Sequence, residues 1–535
     1  MSKNKKPAPD TKIEKIEVEP VNKGAKNAPL YVAHKKIFSK MAKGKFRNFK
    51  TFMLMFTLSI YFITPWLRWD RGEYAPDQFI LLDIANRRFY LAFLEIWPQE
   101  FYYVAGLLLM AGVGLFLATS AVGRAWCGYS CPQTVWTDLF MFVDRFVEGD
   151  RNARIKLDKA PWSANKLFKR GIKHFIWILI SVFTGITFTL YFADAPQLFV
   201  DIITLQAPSV AYATIAVLTG TTYAFAGIMR EQLCIYMCPW PRIQGAMLDE
   251  HSLTVTYNDW RGENRGKNSK KLAAQGKIVG DCIDCDLCVA VCPTGIDIRD
   301  GMQLECITCG LCIDACNGVM DKIGKERGLI SYTTFNYYNE NMDIATSGAY
   351  THDGTPTHEA IEAIDISKVR DSKTGKLKPE FKHTNWRELF RVRTILYLTV
   401  WALIGIAMLL SLTFRSPLDV NVLRDRNPRF VMLSDGSVRN GYDVKILNMT
   451  PIYRNVELSV EGLPDAKMIL GGSSEEATDK LALELEPDRV LPIRLYIKVD
   501  PEDVKPGRTD FILNVNNIAN DEAASAKAIF EAPEK

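Results

Sequence analysis

No cysteine stands before Cys127 or after Cys316, so the last 219 residues carry none and a chain-wide disulfide framework is excluded. An excess of one charge is also missing: 65 Lys and Arg against 61 Asp and Glu leave a net +4, too balanced to argue for a nucleic-acid partner. There is no C-x-x-C-H haem attachment sequence, no Walker A loop and no G-x-G-x-x-G opening a βαβ unit. No nicotinamide or flavin site of a recognised kind is therefore visible, so any electrons the chain handled would have to come from a partner, a cytoplasmic or a quinol donor. An apolar segment near Met1 is absent too, so a cleavable signal peptide is not expected. The mean hydropathy of -0.03 and the 48% hydrophobic content resemble those of a soluble protein, and 535 residues call for more than one core.

That average sums opposites. Residues 1–50 carry 14 Lys and Arg against 4 acidic residues and read as a basic, polar, cytoplasmic tail. Five uncharged apolar runs follow: Thr51–Leu67, Phe101–Val122, Phe175–Phe192, Ala207–Met229 and Thr394–Phe414. Each suits one membrane crossing, and five such runs in one soluble protein would be very unusual. The loop from Gly123 to His174 holds 10 Lys and Arg, whereas Asp194–Gln206 holds none and two Asp, so the first is expected on the cytoplasmic side and the second opposite. Spans one to four then lie within 51–229, a cytoplasmic region occupies 230–338, a Gly-, Thr- and Asp-rich linker fills 339–393, and the fifth span is 394–414. Residues 415–535 would lie outside. There, β-prone runs alternate with turn signals such as Asp435-Gly436 and Asn440-Gly441, which predicts a small β-sandwich.

Eight cysteines form two copies of one run. The first is Cys282-x2-Cys285-x2-Cys288-x3-Cys292-Pro293 and the second Cys306-x2-Cys309-x2-Cys312-x3-Cys316. Bacterial two-cluster ferredoxins hold 4Fe-4S centres with this spacing, the fourth cysteine of each run ligating the other cluster. One cluster would thus take Cys282, Cys285, Cys288 and Cys316, and the second Cys306, Cys309, Cys312 and Cys292, within a segment of about 275–325. Gly295 and Gly310 would let the backbone wrap closely. Paired structural zinc sites are the alternative and fit the interleaved spacing less well. Asn317 stands where the second run could have had a proline.

The other four cysteines repeat a different pattern, C-x-Y-x-C-P: Cys127 and Cys131 before Pro132, and Cys234 and Cys238 before Pro239. Each set follows a span and has an arginine shortly upstream, Arg124 or Arg230, so both should reach the same depth. The i, i+4 spacing would put each pair on one helix face, with the proline ending or bending the helix. Thiols so placed could bind Cu(I), zinc or an iron-sulfur cluster, or cycle through a disulfide, and the residues alone leave these open. Inert buried cysteines are the plainer alternative. Met237 is a minor candidate thioether ligand, and His174 and His251 are expected near the same face.

Taken together, the spans, the two C-x3-C-P sets, the two-cluster segment, the stretch Glu326-Arg-Gly-Leu-Ile-Ser-Tyr-Thr-Thr-Phe-Asn336 and the terminal β domain closely resemble the CcoG/FixG/RdxA family of cytochrome c oxidase accessory proteins. The resemblance covers all but the basic tail. It implies a multi-pass protein of the bacterial inner membrane whose terminal domain, 415–535, is immunoglobulin-like and periplasmic. It implies further that the protein assists assembly of cbb3-type oxidase, with oxidase subunits or their copper chaperones as partners beside membrane lipid, and reduces Cu(II) to Cu(I). By position, Cys127, Cys131, Cys234 and Cys238 would then bind copper or pass electrons to it, which makes them candidate catalytic and metal residues. A quinol-dehydrogenase-like electron conduit and a non-catalytic assembly scaffold are the competing functions.

Overall fold

The computed structural model describes residues 15, 16, 18, 36–263, 265, 279–347, 364–371, 376–381, 390–472, 477–520 and 522–533. They divide into two units. The first holds residues 1–67, 82–89 and 96–405, the second 68–81, 90–95 and 406–535.

Among the described residues, four helices are long and apolar enough to cross a membrane: Pro98–Val122, Ala164–Thr189, Ser209–Met229 and Val392–Thr413. They satisfy their own backbone polar groups and turn apolar side chains outward, with Leu108 70% and Leu403 60% exposed, a surface suited to lipid. The helix Ala164–Thr189 starts well before the apolar run at Phe175, because a helix does not end where charge begins: Lys166 bonds the Asp158 and Ala160 carbonyls from its first turn. The first apolar run differs. It belongs to the helix Lys45–Ile63, which falls short of the four by composition because its first turns carry Lys45, Arg47 and Lys50. Arg47 and Lys50 are buried, and Arg47 pairs with Asp138 at 2.9 Å, so this end of the helix packs against protein.

The two cysteine runs lie between short antiparallel strands, Thr254–Tyr257 and Ile330–Thr333, paired with Thr254 opposite Thr333. Val255, Tyr257, Val289, Ile313, Val319 and Ile330 make a small core. The described parts of the tail pack here as well. Ile16 N–H donates to the Cys285 carbonyl (3.2 Å) and Lys40 N–H to that of Ala290 (2.7 Å), so these stretches are not a free polar tail as composition suggests. Most of 1–35 lies outside the described residues. The expected linker is likewise partly folded: the helix Phe335–Thr346 and the helix Ile366–Val369 contribute to a core of Trp260, Tyr338, Met342, Val369 and Phe381, with the Trp260 and Phe381 rings stacked at 4.6 Å. Residues 348–363, 372–375 and 382–389 of that linker are outside the described set.

In the second unit two antiparallel sheets form a sandwich. One has Lys467–Leu470, Arg489–Val499, Val438–Asn448 and Leu418–Arg424 in that order; the other has Lys480–Leu485, Arg454–Glu461, Gly507–Asn517 and Ala523–Ala532. Tyr442, Ile446, Leu458, Leu495, Phe511 and Leu513 fill the space between them. The Asp435-Gly436 turn forms, with Gly436 at φ 82°. Asn440-Gly441 does not turn; both residues pair within a strand, opposite Ile497 and Tyr496. A Cβ on Gly441 would lie 2.5 Å from the Asp425 carboxylate, the movable end of a side chain. The strand Ala523–Ala532, rich in Ala, carries little β propensity and owes its pairing to its neighbour Gly507–Asn517.

Candidate functional site

The two cysteine runs fold alike. Residues two and four past each leading cysteine, Asp284 and Asp286 in the first and Thr308 and Gly310 in the second, all take left-handed backbone angles. Successive amides in such turns make a concave, electropositive cup. The result is two small cavities side by side. Cys282, Cys285, Cys288 and Cys316 line the first, with Arg299; Cys292, Cys306, Cys309 and Cys312 line the second, with Cys288 on the shared wall. Two side-by-side cages of four thiols match the donor set and count of two 4Fe-4S cubanes. A zinc site would need its ligands to converge on one point, and among the described residues no three His, Cys, Asp or Glu side chains do so.

Burial pushes four of these thiols up strongly, Cys306 and Cys316 each to about 12 and Cys288 and Cys312 well above the ordinary value. A metal centre entering either cage must displace protons. Arg299 offsets the acidic surround of the first cage, bonding Asp286 at 2.6 Å, Asp297 at 2.7 Å and Asp284 at 3.0 Å. Asn317 occupies the missing proline's place inside the helix Leu311–Ile323, which brings Cys312 and Cys316 to one face; its side chain accepts from Gly328 N–H at 2.9 Å. Proline there would break that helix.

The C-x3-C-P sets come together but not as two matching helix faces. Cys127 sits in the short helix Ala125–Tyr129, and the chain turns before Cys131, which caps the next helix, Pro132–Glu148. Pro132 therefore starts a helix, where its missing N–H costs nothing. Cys234 lies in a π-helical turn, Leu233–Met237, that ends at Cys238. The i, i+4 helix-face expectation fails for the first set for this reason. The thiols are still near enough to influence one another: burial pushes Cys127 up to about 11 and Cys234 to about 12, with the neighbouring cysteines adding to both shifts.

The first set also rests on the second cage. Gly128 lies against the loop 307–309, where a Cβ would come within 2.6 Å of the Ile307 carbonyl and 3.2 Å of Cys309 Cα; Tyr129 Oη donates to the Cys309 carbonyl at 2.8 Å. The second set has Ile235 at the matching place. Replacing Gly128 with Ala is expected to destabilise the fold by about 1–3 kcal/mol through overpacking against backbone, read as a lower apparent unfolding temperature in detergent. An unchanged value would contradict the contact. From the other side, Cys234 and Lys50 share a cavity with Pro293, Thr294 and Ile307, so both sets border the Cys292–Cys306–Cys309–Cys312 cage.

Sequence reasoning missed several neighbours. Gln244 accepts from Cys127 Sγ at 2.9 Å and donates to Thr119 at 3.1 Å. Thr134 donates to the Cys127 carbonyl at 2.6 Å. Lys50, 2% exposed, brings a buried positive charge that lowers the Cys309 thiol against the effect of burial. None belongs to a motif, so no spacing could reveal them. The two upstream arginines diverge: Arg124 bonds the Leu304 carbonyl beside the second cage, while Arg230 pairs with Asp144 at 2.7 Å. His174 is not with the cysteines; its Nδ1 meets Tyr223 Oη at 2.9 Å and its ring packs on Trp177. His251 lies in an exposed turn, and Met237 is 56% exposed.

Residues 229–335 match the family model of a 4Fe-4S dicluster domain, 104–147 that of a 4Fe-4S binding domain, and 408–533 that of the IG-like fold at the C-terminus of FixG. Over 526 residues the chain is 54% identical to the nitrogen fixation protein FixG of Rhizobium meliloti, covering 98% of this chain and 97% of that protein. It is 48% identical to protein RdxB and 46% identical to protein RdxA of Cereibacter sphaeroides, each over 94% of this chain and 97% of the relative. A crystal structure of a FixG-related protein from Vibrio parahaemolyticus matches 22% of the chain and 97% of its own length at 24% identity, with a TM-score of 0.19.

Proposed function

The chain belongs to the FixG/RdxA family of iron-sulfur proteins, and from that premise we propose that it is a bacterial inner-membrane metalloreductase that delivers electrons to copper, reducing Cu(II) to Cu(I) for cbb3-type oxidase assembly. The observation that carries this reading is the Gly128 contact, which sets a pair of thiols directly on the wall of a cluster cage. In it Cys282, Cys285, Cys288 and Cys316 hold one 4Fe-4S centre, and Cys306, Cys309, Cys312 and Cys292 the other; each such centre stores and releases one electron. Cys127, Cys131, Cys234 and Cys238 take the copper ion. Soft thiolates favour Cu(I) over Cu(II), so binding there makes the ion easier to reduce, and the product is released to a thiol- or thioether-bearing chaperone. The buried Lys50 beside Cys309 and Cys234 favours arrival of negative charge at that wall.

Orientation by the basic loops puts the cages on the cytoplasmic side and the β domain in the periplasm. The test is Cu(II) reduction by the cluster-loaded chain, with dithionite-reduced protein and a Cu(I) chelator. Cys127→Ser with Cys131→Ser is expected to slow it at least tenfold at unchanged iron content. Equal rates would sink the copper reading.

A second reading rests on the match of 104–147 to a 4Fe-4S binding domain. That segment has two cysteines, so a third cluster would need Cys234 and Cys238 to complete its four thiolates. Iron analysis separates the two, with about eight irons per chain for the first reading and about twelve for this one.

A further inference from the structure

A further cavity lies beside Cys306, and neither the cages nor the thiol sets account for it. It measures about 360 Å³, and Leu248, Val255, Ile298, Leu304 and Phe335 give it apolar walls. Three polar atoms of its lining residues, Arg124 Nε, Gln303 Oε1 and Thr308 Oγ1, are buried and have no hydrogen-bond partner among the described residues. Arg124 and Thr308 are each 3% exposed, so water does not serve them freely. Both longer side chains are fixed by their other ends: Arg124 donates to the Leu304 carbonyl, and Gln303 Nε2 donates to the Asp297 carbonyl at 2.5 Å. Buried polar atoms left unmatched in an apolar cavity mark a place where a ligand supplies the partners.

The pattern defines that ligand. Arg124 Nε–H needs an acceptor, Gln303 Oε1 needs a donor, and Thr308 Oγ1 can serve either. Asp249 and Glu250 at the same cavity disfavour an anion. The ligand is therefore neutral, largely apolar and carries hydroxyl or carbonyl oxygens. Access from lipid follows from chain position: Arg124 comes two residues after the span Pro98–Val122, and Gly245 and Leu248 belong to the segment after the span Ser209–Met229. Met302 and Leu304 are 52% and 59% exposed there.

We propose that this cavity binds a lipid-soluble hydroquinone and is where the chain takes up its electrons. The proposal rests on the reading that iron-sulfur centres occupy the two cysteine cages. The quinol is oxidised: its two O–H groups become two C=O groups, and two electrons and two protons depart. The electrons pass by way of the Cys306 wall to the two one-electron stores, one each. The protons leave through Glu250, an exposed carboxylate at the cavity, to water. Asp249 is not suited to that task, because against the effect of its burial Arg391, Ser252 and Arg393 hold it at about 2.

The test uses the full, cluster-loaded chain in lipid nanodiscs with decylubiquinol, and equilibrium dialysis of decylubiquinone as a second readout. Decylubiquinol is expected to reduce the clusters. Gln303→Leu, and independently Leu248→Trp, are each expected to weaken quinone binding at least tenfold and to slow reduction per iron. Unchanged binding in both variants overturns the proposal, as does a wild-type chain that dithionite reduces and decylubiquinol does not. Reduction by soluble reduced flavin mononucleotide alone, lost in the same variants, overturns the quinol as donor. A chain without iron overturns the cluster reading instead, and the dialysis arm then still decides the cavity.

Discussion

Replacing Cys292 with Ser is expected to remove the cluster associated with Cys306, Cys309 and Cys312, and to spare the one associated with its own run. Iron should fall from about eight to about four per chain, each cubane carrying four. Proximity along the chain argues for the opposite result, since Cys292 follows Cys288 by four residues. The fold overrides proximity because the short helix Leu287–Val291 carries the chain across the gap between the cages, so that Cys292 lines the second cavity while Cys282, Cys285 and Cys288 line the first. Cys316 makes the return crossing on the helix Leu311–Ile323. The paramagnetic spectrum of reduced Cys292→Ser protein should therefore resemble that of Cys306→Ser, and Cys316→Ser that of Cys282→Ser. A spectrum of Cys292→Ser resembling that of Cys282→Ser would mean each run holds its own cluster.

Asp144→Ala should be among the most damaging substitutions outside the cysteines. Asp144 is fully buried on the helix Pro132–Glu148, and its carboxylate accepts from Arg154 at 2.6 Å and from Arg230 at 2.7 Å. That helix begins at the first thiol set, and Arg230 stands just before the second. The ion pair thus ties the two sets together. Removing one partner of a buried pair leaves uncompensated charge and costs about 3–5 kcal/mol, more than the pair itself is worth. The apparent unfolding temperature in detergent should drop sharply, and Asp144→Ala with Arg230→Met should recover part of the loss, since two neutral partners need no compensation. A single variant as stable as the parent would show that the pair holds nothing in place.

Much of this was legible beforehand. The interleaved thiol sets follow from spacing alone, because cluster ligation demands particular residues at particular intervals whatever surrounds them. The β-sandwich and four of the five apolar helices were equally plain, being repeated local patterns that burial reinforces. Errors came where a local signal met a tertiary contact. Asn440-Gly441 carries a turn signature yet runs through a strand, because both residues pair with the neighbouring strand, opposite Ile497 and Tyr496. The helix that carries Thr51–Ile63 begins six residues before the apolar run, at Lys45, among buried charges such as Arg47 against Asp138. The Gly- and Thr-rich stretch after Asn339 reads as a linker, yet part of it covers Trp260.

By itself, then, the sequence determined the chemistry: eight thiols in a two-cluster rhythm, four more in a repeated pair, and apolar helices to hold them in lipid. It could do so because ligand type and hydrophobic period are properties of single residues and their spacing. Only the tertiary structure decided which cage meets which thiols. Gly128 against Ile307, Lys50 beside Cys309, Gln244 on Cys127 and the unmatched atoms of Arg124, Gln303 and Thr308 join residues far apart in the chain. Such contacts follow from packing in three dimensions, for which a one-dimensional pattern carries no signal.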